Sequence, residues 1–242
     1  MLKITIIISI LIISLYIVIP IFVYKKKKDN IKLTCNVNSN NSVIKDDGFI
    51  IVNNILDENC RKILVDTYLD EARNNKKLNE DKKFEFYSNN KFLDSLSKLV
   101  GEKLYPVNSL DLHRCWIRYY FSGMKAQYYE TLHHDSKRYS SKIKQYRLII
   151  PIYDTSNTTF TIENYGEFSF KQNMGVFLEA GNCLHKVKFT QGERLLLFMD
   201  FITKDCDTLY NHYSCRGKSG YYYWIKDIIW RKISSIYYKL LN

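Results

Sequence analysis

Three side chains far apart along the chain form the first chemical pattern: His133 and Asp135, separated by one residue, and His185, fifty positions after that aspartate. On an extended strand residues i and i+2 project to the same side, so an imidazole and a carboxylate at this spacing can ligate one metal ion from a single segment. If the strand of His185 lies beside that segment, it completes a two-histidine, one-carboxylate face, which leaves positions on Fe(II) open for a cosubstrate and dioxygen. His134 lacks this geometry with Asp135 and is expected to face solvent. Nine residues beyond His185 stands Arg194, in Gly192-Glu193-Arg194, followed by the apolar run Leu195-Leu196-Leu197-Phe198-Met199. A guanidinium keeps its charge and meets a carboxylate through two parallel hydrogen bonds, as needed to hold the distal carboxylate of a 2-oxo diacid whose other end chelates the metal. Singly, these residues have ordinary uses as a core histidine, a turn-capping aspartate or a surface arginine. Their combination points to chemistry.

The elements that must position them follow from hydrophobic periodicity. Residues 49–52 read as a short apolar strand, and Asp57 is a candidate N-cap for a helix carrying Ile63, Leu64, Tyr68 and Leu69 at helical spacing. Residues 74–83 read as a charged loop, and 91–103 as a second amphipathic helix with Phe92, Leu93, Leu96, Leu99 and Val100. From residue 112 the period switches toward two, with strands expected at 112–120, 146–153, 160–162, 167–170, 175–178, 185–189 and 195–201. A turn at Gln191-Gly192 is expected to bring the strands of His185 and Arg194 together. This pattern suits a β-sandwich or jelly roll with helices packed on one side.

The two ends differ from this domain. Residues 4–24 carry no charge, and 21 residues reach about 31 Å as a helix, enough to cross a hydrocarbon core. The run ends in Lys25-Lys26-Lys27-Lys28 rather than in small residues, which favours an uncleaved anchor over a signal peptide. Residues 1–24 are thus expected as a transmembrane anchor, 25–46 as a basic polar linker, 47–215 as the catalytic domain and 216–242 as an amphipathic basic and aromatic helix. That last helix could dock on the domain or lie on an anionic leaflet. The lysines favour a cytosolic domain by the positive-inside tendency, whereas sequons at Asn40 and Asn157 fit a lumenal one. The 242 residues, 46% hydrophobic and 15% aromatic, exclude a disordered chain, and the six cysteines form no CxxC pair that would support a zinc ribbon. The net charge of +11 is dispersed and accompanied by no nucleic-acid-binding motif, so nucleic acid is not an expected partner. No feature dictates an oligomeric state.

From residue 49 to 201 the chain resembles the 2-oxoglutarate- and Fe(II)-dependent dioxygenases, in particular the prolyl 4-hydroxylase-like branch with lysyl hydroxylases as relatives. The resemblance is carried by Phe49-Ile50-Ile51-Val52, the segment Leu112 to Tyr119, Leu132-His133-His134-Asp135, Arg147-Leu148-Ile149-Ile150-Pro151-Ile152-Tyr153, Thr158-Thr159-Phe160 and the hairpin from Gly175 to Phe201. It implies a mainly β, α+β fold: a double-stranded β-helix (jelly roll) core with flanking helices, here preceded by one transmembrane helix. It implies that His133, Asp135 and His185 bind Fe(II), that Arg194 binds 2-oxoglutarate with Tyr119, Tyr128 and Thr158 as further cosubstrate contacts, and that O2 and ascorbate take part. It also implies a protein or peptide substrate, a peptidyl proline first and a lysyl residue as the alternative, and a domain in the endoplasmic reticulum lumen. The chain differs from the family in having Thr155 and Ser156 where two glycines are usual, and Arg194 where prolyl hydroxylases usually carry lysine. A catalytically silent jelly-roll module at a membrane, or a metal enzyme working without 2-oxoglutarate, would share much of this pattern.

Overall fold

The computed structural model describes residues 30–205, apart from 39, 76–78, 82, 110–111, 125–129 and 136–142. The expected anchor at 1–24 and the expected helix at 216–242 lie outside the described residues. Among the described residues no helix is long and apolar enough to cross a membrane.

The labelled elements, in chain order, are β1 (Val43–Asp46), β2 (Phe49–Val52), α1 (Glu58–Asn75), β3 (Asn79–Asp81), α2 (Asn90–Val100), β4 (Cys115–Phe121), β5 (His133–His134), β6 (Gln145–Asp154), β7 (Thr159–Ile162), β8 (Gly166–Ser169), β9 (Gly175–Glu179), β10 (Leu184–Lys188) and β11 (Glu193–Ile202). They form a mainly β structure. The major sheet runs β1-β2-β9-β6-β11-β4-β3 and the minor sheet β5-β10-β7-β8, each antiparallel. From β6 onward the chain passes major, minor, minor, major, minor, major, the winding of a jelly roll. The turn containing Gly192 (φ 93°) therefore carries the chain from one sheet to the other rather than pairing its two flanking strands.

The central strands bury both faces, so they read as continuous apolar runs. On β11, Leu195, Leu197 and Met199 face a core shared with Leu64, Tyr68 and Leu96 of the two helices. Leu196 and Phe198 face the inter-sheet core with Phe160, Phe170 and Val187. The helices start where side chains satisfy orphan amides: Asp57 Oδ1 accepts from Cys60 N at 2.8 Å, and Asn89 Oδ1 from Phe92 N at 3.3 Å. Helix α2 ends at Val100, three residues short of the expected 103, because Gly101 (φ 82°) forms a left-handed cap.

Three expectations are corrected. Ile63 lies on the outer side of α1 and is 40% exposed. The loop expected at 74–83 holds β3, an edge strand paired with β4. The tether expected up to residue 46 is folded onto the domain in its later part: β1 pairs with β2, Val37 bridges to Leu56, and Cys35 is disulfide-bonded to Cys60 in α1. Polar sequence hid this because β1 is exposed along its whole length.

Asn173 locks the passage from β2 into α1. Its side chain accepts from Leu56 N at 3.1 Å and donates to Leu56 O at 2.9 Å, while its own backbone sits at φ 61°. Replacing Asn173 by Ala leaves both Leu56 groups buried without that partner, and we expect a loss of about 2–4 kcal/mol by chemical denaturation; a loss below about 0.5 kcal/mol would show that the amide is dispensable.

Candidate metal and cosubstrate site

Strand β5 pairs with β10 so that His133 stands directly opposite His185, their ring centroids 4.4 Å apart. Asp135 follows β5 and turns to the same side. The ligating atoms of His133, Asp135 and His185 all lie within 4.8 Å of one another, and no other group of His, Cys, Asp or Glu among the described residues is arranged this closely to hold a metal. His134 is exposed, opposite Leu184.

Each member is oriented by a specific contact. His133 Nδ1 donates to Thr131 O at 2.8 Å and His185 Nδ1 to Cys183 O at 3.2 Å. A carbonyl can only accept, so both rings carry hydrogen on Nδ1, which makes Nε2 the ligand atom. His185 is 2% exposed and stacks on Phe160 at 5.5 Å; burial pushes its pKa below the usual imidazole range, against the opposing pull of Asp135, and so favours the neutral form that ligates. Asp135 is 6% exposed. Its Oδ1 accepts from Arg147 Nη1 at 2.7 Å, while Oδ2 is buried with no hydrogen-bond partner. Arg147 is itself held by Asp200, which accepts from Nε at 2.8 Å and from Nη2 at 3.1 Å. Two imidazoles, each with Nδ1 engaged by a backbone carbonyl, and an orphaned carboxylate oxygen around one point are a donor set suited to a divalent first-row metal.

These residues line a cavity of about 100 Å³ between the sheets, together with Arg194, Arg118, Tyr120 and Trp116. Arg194 is 1% exposed, with its guanidinium 5.0 Å from the Tyr120 ring centroid and 5.5 Å from that of Phe189. Tyr120 stands opposite Arg194 on β4, and Tyr119 therefore projects from the other face. This corrects the expectation for Tyr119: its hydroxyl donates to Glu193 Oε2 at 2.5 Å, away from the cavity. Thr158 is 2% exposed and does not line the cavity; its hydroxyl is 2.6 Å from Ser156 Oγ, which in turn donates to Asp154. Tyr128 lies outside the described residues. Arg147 and Asp200 carry no local spacing pattern in the sequence; the available signal is that both sit on largely apolar strands, where a charge needs a partner.

No family model and no curated protein sequence matches the chain. Among solved structures, the chain is similar in fold to a Pseudomonas putida prolyl-4-hydroxylase, with 14% identity over 65% of this chain and 89% of that one at a TM-score of 0.42. It is also similar to a viral collagen prolyl hydroxylase from Paramecium bursaria Chlorella virus-1, with 10% identity over 69% of this chain and 97% of that one at 0.46. A third is the non-heme alpha-ketoglutarate-dependent epimerase SnoN from nogalamycin biosynthesis, with 14% identity over 64% and 78% at 0.43. What the site can do follows from its own side chains.

Behind Arg194, the major sheet is tied to α1. Arg73 of that helix donates to both oxygens of Glu193, which also accepts from Tyr119 and from Tyr153, the latter at 3.2 Å. The Arg73 bonds draw the Glu193 carboxyl down to about 2, and burial with the Glu193 bond pushes the Tyr119 hydroxyl up to about 12. A carboxyl depressed in the folded state stabilises above its unfolded value and loses that contribution as pH falls through the folded one. The difference in unfolding midpoint between the native protein and Glu193→Gln should therefore be full above about pH 4.5 and vanish toward about pH 2. A pH-independent difference would remove Glu193 as the titrating group.

Proposed function

We propose that the chain is an Fe(II)- and 2-oxoglutarate-dependent dioxygenase that hydroxylates a peptidyl residue, proline being favoured by the sequence resemblance. The observation that carries this reading is the convergence of two Nδ1-protonated histidines and the Oδ2 atom of Asp135 in the cavity that also buries Arg194. In this reading His133, Asp135 and His185 hold the metal and Arg194 receives the distal carboxylate of 2-oxoglutarate. When bound, Fe(II) with 2-oxoglutarate and O2 supplies the oxidative decarboxylation to succinate and CO2 that ends in hydroxylation of a C–H bond.

The remaining work belongs to the protein. The two backbone carbonyls keep both imidazoles in the ligating tautomer. Arg147 occupies one oxygen of Asp135 and so directs the other toward the histidines. Ile149, Phe170, Val187, Leu196 and Phe198 line the cavity with apolar surface that limits water and strengthens the charge interactions inside it. Tyr120 and Phe189 fix the plane of the Arg194 guanidinium for bidentate binding.

Residues 1–24 are proposed as a single membrane anchor. The Cys35–Cys60 disulfide supports an oxidising compartment for the domain, hence the lumenal rather than the cytosolic side, and Asn40 and Asn157 are both exposed there for glycosylation.

Purified protein should convert 2-oxoglutarate to succinate only with Fe(II), and His133→Ala or Asp135→Ala should reduce this at least a hundredfold, while Arg194→Ala should mainly raise the apparent KM for 2-oxoglutarate. Iron-independent turnover, or full activity in either ligand variant, refutes the assignment. Arg147→Leu tests the positioning role separately: with Co(II) as a spectroscopic probe, affinity should fall about 10–100-fold, and an unchanged Co(II) titration would show that Asp135 does not need its clamp.

A further inference from the structure

Strand β6 carries one residue more than its partner across the ladder. Between Pro151 and Tyr153 the register with β11 shifts, so that Ile152 and Tyr153 both face the helix side and Asp154 returns to the cavity side, opposite Arg194. In an unbroken strand, the alternation that puts Arg147 and Ile149 in the cavity would put Asp154 on the helix side. The bulge is held from outside the ladder: Arg61 of α1 donates to Ile152 O at 2.8 Å, and Asn173 N to Pro151 O at 2.7 Å. Bulges beside a site re-aim a side chain. Here the side chain is a carboxylate, and it is aimed at the flank of the buried cation.

Thr155 and Ser156, which stand where the resembled family usually has two glycines, keep this carboxylate in place. Thr155 N donates to Glu193 O at 3.0 Å and its hydroxyl accepts from Glu193 N at 3.1 Å, which pins the end of β6 to the residue before Arg194. Ser156 donates to Asp154 Oδ1 from its amide at 2.7 Å and from its hydroxyl at 2.5 Å. The other oxygen, Oδ2, is buried and accepts no hydrogen bond among the described residues. Two glycines supply neither side-chain contact. Across three neighbouring strands the row is thus Tyr120, Arg194, Asp154, with a ring on one side of the guanidinium and a carboxylate on the other. Asp154 does not line the cavity, so its influence on a ligand there passes through Arg194. Burial pushes its carboxyl up, while the bonds from Ser156 and the charge of Arg194 draw it down.

We propose that Asp154 is a positioning residue of the anion site: working through Arg194, it weakens the hold on a distal carboxylate enough for a dicarboxylate product to leave. The reason is electrostatic. Ladder neighbours on one face have Cβ atoms about 5 Å apart, so a distal carboxylate received by Arg194 lies in the field of Asp154. Beside a cavity walled by Ile149, Phe170, Val187 and Leu196 that repulsion is poorly screened. It opposes 2-oxoglutarate and succinate alike, because both carry the same distal carboxylate. For the identity of these anions the inference rests on the oxygenase reading; for the charge relation it does not.

The test is calorimetric titration of full-length protein. The Co(II)-loaded form receives 2-oxoglutarate, succinate and 2-oxopentanoate, the last of which keeps the chelating end and lacks the distal carboxylate; the metal-free form receives glutarate. Asp154→Asn keeps an acceptor for Ser156 and loses the charge. It should bind 2-oxoglutarate, succinate and glutarate about five- to fiftyfold more tightly than the native protein, and 2-oxopentanoate to within about twofold of it. Asp154→Glu, which keeps the charge, should stay near the native values, and Asp154→Ser, a second neutral variant, should shift in the same direction as Asp154→Asn. With Fe(II), the KM for 2-oxoglutarate and the inhibition constant for succinate should fall together in the neutral variants. Equal tightening of 2-oxopentanoate, which would mark a general change of the cavity, overturns the proposal. So does unchanged or weaker diacid binding in a folded neutral variant, or diacid binding by none of the proteins. If no succinate forms while the neutral variants still bind the diacids more tightly, the oxygenase reading fails and the role of Asp154 stands.

Discussion

The hydrogen bond from Arg147 to Asp135 is the contact on which the geometry of the site depends, because it crosses from one sheet to the other. His133 and His185 need only the ladder between β5 and β10, and each imidazole is fixed by a carbonyl two residues back in its own chain. Asp135 stands beyond the end of β5 and has no such local support. It is held at 2.7 Å by a guanidinium rooted in the major sheet, which is in turn held by Asp200 on the next strand. The separation of the sheets is therefore part of the site. It is set by the apolar residues between them, Phe160, Phe170, Ile149 and Phe198 among them, and packed sheets sit at about 10 Å. A change in that layer that leaves every proposed ligand in place would still move Asp135 relative to the two histidines.

Much of this architecture was legible in the sequence. The strands from residue 145 to 202 coincide with the expected runs to within a residue or two; on β6, β9 and β11 alternate faces enter two different cores and neither tolerates polarity. His133, Asp135 and His185 could be singled out because i, i+2 spacing has a fixed meaning on an extended segment. What the sequence withheld was of two kinds. Edge elements such as β1 and β3 are polar and short, and their backbone pairing leaves no hydrophobic period to detect. The face of β4 was also ambiguous. Tyr119 and Tyr120 are adjacent aromatics, both mostly buried, and only the pairing of Tyr120 with Arg194 decides which one enters the cavity. Which partner holds a buried charge is a long-range fact as well: Arg147 and Asp200 are 53 residues apart, and nothing local links them.

The arginine at position 194, where the resembled prolyl hydroxylases usually carry lysine, agrees with the surroundings that this fold provides. The side chain is 1% exposed and packs over the rings of both Tyr120 and Phe189. Opposite it in the ladder is Asp154, whose carboxyl is pushed up by burial and drawn back down by Ser156 and by Arg194 itself. A lysine ammonium moved into such a place is strongly hydrated before burial and can shed its proton after it, so its charge would depend on what else occupies the cavity. A guanidinium cannot deprotonate in a protein, is more weakly hydrated, and gains on the order of 0.5–2 kcal/mol from each ring face it covers. Two flanking aromatic rings thus favour the planar cation over the point charge. Seen this way, Phe189, the last aromatic before the Gly192 turn, and Tyr120 across the ladder are part of the reason that an arginine can stand at this depth and keep its charge before any anion arrives.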